Sequence, residues 1–337
     1  MEVLITGGNG LLGRHLVVAL QGRGYGVRVL ALPEEDIRWL RQRGVAVHRG
    51  DVRWPDSLAA PMSGATAVLH LASMMGVWRP IDEYRAVNVV GTKNVCLAAL
   101  AEGVKRIVHV SSWTVYGMDL GIPAREDFLL RPFHEPNAIT KAEGDLTVQQ
   151  MIADDHLPAV IVRPGEFFGP GDWLNFGRIA DRLRAGKGVI IGPGDNALPF
   201  AYVTDVACGV LLALDCDHAV GQAYNISNDR PLTQQQLLES IAHDIGVNPP
   251  TVHIPYRAVY TAASAAEHLT ILASPQREPN VTRLGVQLFG TDNRHAIDKA
   301  RRELGYMPQV RVRDGIRLTA AWYLAQEQPG SYSGAVS

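Results

Sequence analysis

Cysteine is scarce in this chain. Among 337 residues only Cys96, Cys208 and Cys216 are cysteines, scattered and without metal-ligand spacing. That excludes a disulfide scaffold, and no metal site is expected. Reduced, mostly buried thiols in a cytoplasmic protein fit this usage. An excess of charge of one sign is also missing. The 32 basic residues meet 34 acidic ones, a formal net charge of −2. Nucleic acid is therefore not an expected partner. No uninterrupted apolar run is long enough to span a membrane, so no membrane partner is expected either. Repeats and low-complexity tracts are absent. Met1 runs straight into an apolar stretch, and no signal peptide is expected. The composition, 47% hydrophobic and 20% charged, is that of a soluble globular protein. The length suits one large domain or two unequal ones.

The stretch that organises the chain is Met1–Gly13, MEVLITGGNGLLG. Val3, Leu4 and Ile5 read as a short buried strand. Thr6 to Gly13 reads as a glycine turn, and Arg14–Gln21 as the helix that follows. Gly7 permits a tight turn, Gly10 lets backbone approach a pyrophosphate, and Gly13 lets helix and strand pack closely. The helix N-terminus then offers N–H groups to the phosphate. A plain glycine-rich βα turn is the bland alternative.

The next strand, Val27–Leu32, leads into Glu34, Glu35 and Asp36. No Arg stands at its end to receive a 2′-phosphate, which favours NAD over NADP without excluding NADP. The same acids fit a solvated helix start equally well. Strands follow at Val45–His48, ending in Gly50-Asp51-Val52, and at Ala67–Leu71, ending in His70-Leu71-Ala72-Ser73. Ile81–Glu102 reads as a helix, and Arg106–Val110 as a strand ending in Ser111-Ser112. This alternation predicts an α/β fold with a Rossmann-type, doubly wound parallel sheet. Ligands of such sheets bind beyond the carboxyl ends of the strands. Gly7, Asp51, Ala72 and Ser112 should converge there.

The motifs appear in a fixed order: TGGNGLLG (6–13), GDV (50–52), HLAS (70–73), NVVGTKNV (88–95), VSSWTVYG (110–117), RPGEFFGP (163–170), FAYVTDVA (200–207) and KARRELGYMP (299–308). In these the chain resembles the extended short-chain dehydrogenases/reductases, the group of NAD-dependent epimerases/dehydratases and 3β-hydroxysteroid dehydrogenase-like enzymes. The resemblance covers nearly the whole chain. It implies NAD as cofactor, with NADP not excluded. The implied binding residues are Gly7, Asn9, Gly10, Leu11, Leu12, Gly13, Asp51, Val52, Leu71, Ala72, Ser73, Lys141 and Arg163. By the same resemblance Asn88 braces the active-site helix, Ser112 bonds the reacting oxygen, and Lys141 bonds the nicotinamide ribose. The bland alternatives are a helix cap for Asp51 and a strand-end hydroxyl for Ser112.

One position departs. The family's chemistry uses a tyrosine four residues before the lysine, and here that place holds Asn137. An amide does not ionise near neutral pH, but it hydrogen-bonds. With Ser112 it can hold and polarise a carbonyl. Three readings follow. A substitute group moves the proton in an NAD(P)-dependent oxidoreductase or epimerase acting on a secondary alcohol or ketone. Or the fold catalyses a non-redox cyclisation, dehydration or isomerisation. Or the site is a dead dinucleotide sensor or scaffold. Tyr116 and Glu166 are the candidate substitutes, with His134 and a bound water behind them. Packing or substrate contact is the alternative for Tyr116, and a salt-bridged loop carboxylate the alternative for Glu166.

The sixth strand is expected at Leu157–Arg163. Beyond it Trp173–Leu183 reads as a helix, Gly188–Ile191 as a short strand, and Pro231–Ile245 as a helix capped by Thr233. Residues 1–165 are expected to form the dinucleotide-binding domain. Residues 166–330 form mainly a substrate lobe with elements returning to the sheet, and 331–337 a flexible tail. Nucleotide-sugar enzymes commonly carry an Arg just before the FAYVTD-like motif, where Ala197-Leu198-Pro199 stands here. Met74, Met75, Val77 and Trp78, with the apolar Tyr256–Leu272, favour a partly apolar small-molecule substrate. Packing of the lobe's own core is the alternative. Arg178, Arg283 and Arg294 remain as phosphate contacts or surface ion pairs. A homodimer through helices near Asn88–Ala101 and Thr140–Ile152 is expected by analogy.

Overall fold

Short apolar runs alternating with amphipathic segments build a seven-stranded sheet in the computed structural model, which describes residues 1–75, 79–273, 279 and 281–326. Val77, Trp78 and the tail at 331–337 lie outside the described residues. The strands are β1 (Glu2–Thr6), β2 (Gly26–Ala31), β3 (Ala46–Arg49), β4 (Ala67–His70), β5 (Arg106–Val110), β6 (Ala159–Pro164), β7 (Glu166–Phe168), β8 (Ile190–Ile191), β9 (Phe200–Tyr202), β10 (Ala223–Ile226) and β11 (His253–Ile254). The main sheet runs β10-β6-β5-β4-β1-β2-β3, and every paired neighbour is parallel. Strands covered by helices on both faces need apolar side chains throughout. β4 and β6 are accordingly buried along their whole length.

The helices in the first half are α1 (Leu11–Gly22), α2 (Arg38–Gln42), α3 (Ala59–Met62), α4 (Ile81–Arg85), α5 (Thr92–Ala101) and α6 (Pro136–Asp155). The second half adds α7 (Arg178–Arg184), α8 (Val203–Asp215), α9 (Gln234–Asp244), α10 (Tyr256–Ala273), α11 (Arg283–Gly290), α12 (Asp298–Leu304) and α13 (Val312–Gln326). Leu12, Leu16 and Leu20 of α1 pack with Val206 and Val210 of α8 on one side of the sheet. Val95 and Cys96 of α5 pack with Val148 and Met151 of α6 on the other. A third core joins Phe168, Phe176, Leu237, Ile241, Ile316 and Tyr323. The pairs β7–β9 and β8–β11 lie outside the main sheet. Thr233 caps α9 through a reciprocal pairing with Gln236.

Two segments expected as plain helices differ. Between α4 and α5 the chain opens into a π-helical turn at Ala86–Gly91, and another, Trp173–Gly177, precedes α7. The first has a visible cause. Asn88 turns inward there, and its carbonyl accepts from the Thr92 hydroxyl at 2.7 Å. Among the described residues no helix is long and apolar enough to cross a membrane, and no group of three His, Cys, Asp or Glu could hold a metal ion.

Candidate active site

From β1 the chain builds outward to β2 and β3, then crosses back to β4 on the other side. That reversal opens a crevice between the ends of β1 and β4. Gly7 lies in it with φ of +70°, and a Cβ there would stand 2.9 Å from the Ala72 nitrogen. The backbone of the first turn thus rests directly on the end of β4. Thr6 ties the two ends, accepting from Ala72 N at 3.2 Å and sharing a 2.7 Å hydrogen bond with His70 Nδ1. A Cβ on Gly13 would stand 2.4 Å from the Gly7 carbonyl oxygen, so α1 sits as close as backbone allows.

Gly10 differs: its Cβ would meet only the Gly7 oxygen, at 3.4 Å. No side chain caps α1 at Gly10. Uncapped N–H groups beside open space fit a pyrophosphate. Leu11 faces across to Gly171 of the second half, whose Cβ would stand 3.4 Å away. Leu12 is buried in the sheet core and reaches the crevice only through its backbone.

Near the end of β2, Asn9 donates to the Asp36 carbonyl at 2.7 Å and accepts from Arg14 at 3.0 Å. The Arg38 guanidinium grips Asp36 and holds its carboxyl down to about 2. Arg49 donates to the carbonyls of Leu32 and Glu35, and Glu35 accepts from Leu32 N. Cations therefore do reach this strand end, brought by other segments, and each is held by a carboxylate or carbonyl. Asp51 is nearly buried, which works to raise its carboxyl, but its bonds to Arg53 outweigh burial and hold it lower. Val52 packs beneath it in the core.

At the other end α6 sets the chemistry. The Asn88 amide donates to Thr140 Oγ1 at 2.9 Å and to the Met74 carbonyl at 3.2 Å. Its oxygen accepts from Met74 N at 2.8 Å and Ser73 Oγ at 3.1 Å. One side chain thus joins the loop carrying Leu71, Ala72 and Ser73 to the first turns of α6. Gly144 completes the fit, since a Cβ there would stand 2.4 Å from the Asn88 carbonyl. Lys141 crosses from α6 to donate one of its three N–H groups to the Val110 carbonyl at 2.7 Å. Burial lowers its ammonium to about 8. Ser112, two residues past Val110, caps the following turn, accepting from Thr114 N.

Asn137 is in the first turn of α6, and its side-chain oxygen is buried with no protein partner. A buried unpaired acceptor invites a ligand. The helix N-terminus offers nothing else, because Glu135 accepts from both Asn137 N and Ala138 N.

Two candidates do not reach the crevice. Tyr116 is 1% exposed, donates to Asn225 at 2.7 Å and accepts from Arg163 at 2.8 Å. Burial pushes its phenol up to about 12. It is a core residue, packed with Val115, Ala124 and Ala142. Arg163 likewise is no cofactor ligand; it forms a buried pair with Asp145 of α6 at 2.8 Å. His134 is exposed on the rim. Arg283 and Arg294 pair with Glu267 and Asp292.

Glu166 stands just beyond the end of β6. It opens β7, partly exposed, accepting from Trp113 Nε1 at 3.3 Å and from Asn175 Nδ2 at 2.8 Å. Burial, reinforced by Asp172, pushes its carboxyl up to about 7. Trp113 packs edge-on against Phe133 and in one cluster with Ala138, Leu284 and Leu288. Trp113, Glu135, Thr140 and Asn175 are site residues that the sequence reading missed. For Glu135 a signal was present, an acid directly before Pro136 at a helix start.

The model of the NAD-dependent epimerase/dehydratase family matches residues 3–227. A 2-alkyl-3-oxoalkanoate reductase of Stenotrophomonas maltophilia is 32% identical over 327 residues, covering 94% of this chain and 98% of the relative. A 4-hydroxy-2-methyl-3-oxo-4-farnesyl-3,4-dihydroquinoline-1-oxide ketoreductase of Stigmatella aurantiaca is 30% identical, covering 94% of this chain and 95% of its own length. The UDP-glucose 4-epimerase of Thermus thermophilus, solved with NAD, is similar with a TM-score of 0.75 and 25% identity, covering 96% of this chain and 99% of that one.

Proposed function

The chain belongs to the NAD-dependent epimerase/dehydratase family of extended short-chain dehydrogenases/reductases, and from that premise we propose that it is a ketoreductase for an apolar 2-alkyl-3-oxo compound. The enzyme class is an NAD-dependent one acting on hydroxyl or keto groups. Two relatives are named for 3-oxo substrates alkylated at the neighbouring carbon, which supports the narrower reading. The wall beside Ser112 and Asn137 agrees with it: Trp113, Phe133, Leu284 and Leu288 are apolar. The segment before β9 carries the buried Leu198 and no cation.

The observation that carries the proposal is the Asn137 side-chain amide one helical turn from Lys141, its buried oxygen without a protein partner and so left to accept from a ligand hydroxyl, while its N–H group is the donor a substrate oxygen needs. The residues present fit the dinucleotide: Gly10 and the uncapped start of α1 would hold its pyrophosphate, and Lys141 would bond its nicotinamide ribose. When bound, the reduced nicotinamide supplies the hydride. The Ser112 hydroxyl and the Asn137 amide N–H would donate to the substrate oxygen, hydrogen bonds that strengthen as negative charge develops on it. The Lys141 ammonium adds positive charge nearby. Asn137 orients but cannot release a proton.

We assign residues 1–165 chiefly to the dinucleotide and 166–330 chiefly to the substrate, and place the protein in the cytoplasm. We further infer a homodimer through the α4–α5 segment and α6. Val90, Leu97 and Leu146 there are about half exposed, at 50%, 47% and 51%, and grouped apolar exposure marks an interface.

The test is a spectrophotometric assay of NADH consumption with a 2-alkyl-3-oxo acid against UDP-glucose, in protein shown by titration to bind NADH. Consumption with the oxo acid supports the reading. NADH binding with turnover of neither compound, or with epimerisation of UDP-glucose, overturns it.

A further inference from the structure

We propose that Glu166 is the proton donor to the substrate carbonyl oxygen, the role left vacant where Asn137 stands. This rests on the ketoreductase reading above. Glu166 begins β7 immediately beyond the end of β6, on the rim where β5 delivers Ser112. Its carboxyl is joined to that neighbour through one indole. Trp113 directly follows Ser112, donates its Nε1 hydrogen to Glu166 Oε2 at 3.3 Å, and packs with Ala138, next to Asn137. Glu166 is partly exposed as a residue, and its carboxyl is held at the other oxygen by Asn175 at 2.8 Å. Two neutral donors orient it without neutralising it, so it carries a proton without a permanent counter-charge.

Among the described residues, three other ionisable groups near the rim are committed elsewhere, while His134 is exposed and the Lys141 ammonium donates to the Val110 carbonyl. Tyr116 is closed in the core by Asn225 and Arg163. Glu135 caps α6 with both oxygens. Asp172 caps the π-helical turn, accepting from Asn175 N and Phe176 N.

The groups facing Glu166 are few. Asp172 lies on the π-helical side, and its charge favours the protonated form. From β9, Phe200 pairs with Glu166 in register, and Tyr202 ends that strand. Behind the indole is His295, kept neutral by burial, with its ring 5.4 Å from that of Trp113. Desolvation thus leaves Glu166 half protonated at about 7, the range in which a general acid works best.

The step balances. The Glu166 O–H bond breaks and an O–H bond forms on the former carbonyl oxygen. The hydride from the reduced nicotinamide forms the new C–H bond. The products are the alcohol, the oxidised nicotinamide and the Glu166 carboxylate, which takes up a proton from solvent before the next turnover.

The experiment compares wild type, Glu166→Gln and Glu166→Asp, each checked for fold and for NADH affinity by fluorescence titration. For wild type, kcat/KM for reduction should fall about tenfold per pH unit above an inflection near 7. Glu166→Gln should lose about 10²–10⁴ in kcat with NADH affinity unchanged and that inflection gone. Glu166→Asp should keep the inflection at reduced rate. Independently of turnover, infrared difference spectra should show a carboxylic acid band in wild type that titrates over the same pH range and is missing in Glu166→Gln. Turnover in Glu166→Gln with the same inflection, or no such band in wild type, overturns the role of Glu166 while leaving the ketoreductase reading intact. Wild type that shows the band but consumes no NADH with any oxo acid overturns that reading, and the donor role with it.

Discussion

The Glu135 carboxylate accepts the backbone N–H of Asn137 at 2.9 Å, and with its other oxygen that of Ala138 at 3.0 Å. The start of α6 is therefore closed to a substrate oxygen, and Asn137 acts through its side-chain amide alone. Asn137→Ala should lower kcat about 10²-fold, the usual cost of one oxyanion donor. NADH affinity should be unchanged in a fluorescence titration, because the amide meets the substrate and not the pyrophosphate.

Two glycines of the same motif behave differently in space. Gly13→Ala drives a methyl to 2.4 Å from the Gly7 oxygen, and Gly10→Ala to only 3.4 Å. Calorimetry should show Gly13→Ala destabilised by about 3 kcal/mol. Gly10→Ala should melt near wild type but bind NADH at least about tenfold more weakly, because its methyl occupies the phosphate's space.

Tyr116→Phe separates core from catalysis. It removes a hydroxyl that bridges Asn225 and Arg163, leaving buried polar atoms unpaired at a cost of about 1–3 kcal/mol in denaturant unfolding. Steady-state kcat and its pH profile should remain within about twofold of wild type. Asp145→Asn, which leaves the buried Arg163 charge uncompensated, should cost more, about 3–5 kcal/mol.

Stability should fall on acidification before the carboxylates titrate. Burial depresses His70 and His295 to about 3, and His109 well below its usual value, with Lys141 adding to the effect on His70 and His109. Each is neutral in the fold and becomes protonated in the unfolded chain below about 6.5, so its contribution is full above 6.5 and is lost as pH falls toward 3. At pH 5 this amounts to on the order of 2 kcal/mol for each of His70 and His295. Glu166, raised to about 7, acts oppositely, favouring the fold below the ordinary glutamate range and losing that contribution as pH rises through 7. Thermal melts from pH 8 to 5 should show Tm falling below about 6.5, with the fall reduced in His295→Phe.

Leu97→Glu with Leu146→Glu places charge on the two half-exposed faces of α5 and α6. Light scattering should give a dimer for wild type and a monomer for the double variant, with the unfolding midpoint lowered.

Much of the fold was legible in the sequence. Apolar runs ending in small or polar residues located the six strands from β1 to β6 to within about two residues, most of them buried along nearly their whole length and only the edge strand β3 largely open. The π-helical turn at Ala86–Gly91 was not legible, since it exists to aim Asn88 at Met74 and Thr140, contacts that span 14 and 52 residues. The glycine turn between β1 and α1 was legible as a local motif, as were the places of Ser112 just past β5 and Lys141 on α6. The fate of Tyr116 was not, because its partners Asn225 and Arg163 lie 109 and 47 residues away. Glu166 stood between these cases. Its place at a strand end was visible, but its desolvation depends on Trp113 and Asn175 closing over it.

The most direct measurement is deuterium transfer. Wild-type protein is incubated with a 2-alkyl-3-oxo acid and NADH carrying two deuterons at nicotinamide C4, and the product is analysed by mass spectrometry and NMR. One deuteron on the carbinol carbon is the expected result. Product that forms without deuterium at that carbon would contradict hydride transfer and turn the same crevice to non-redox chemistry.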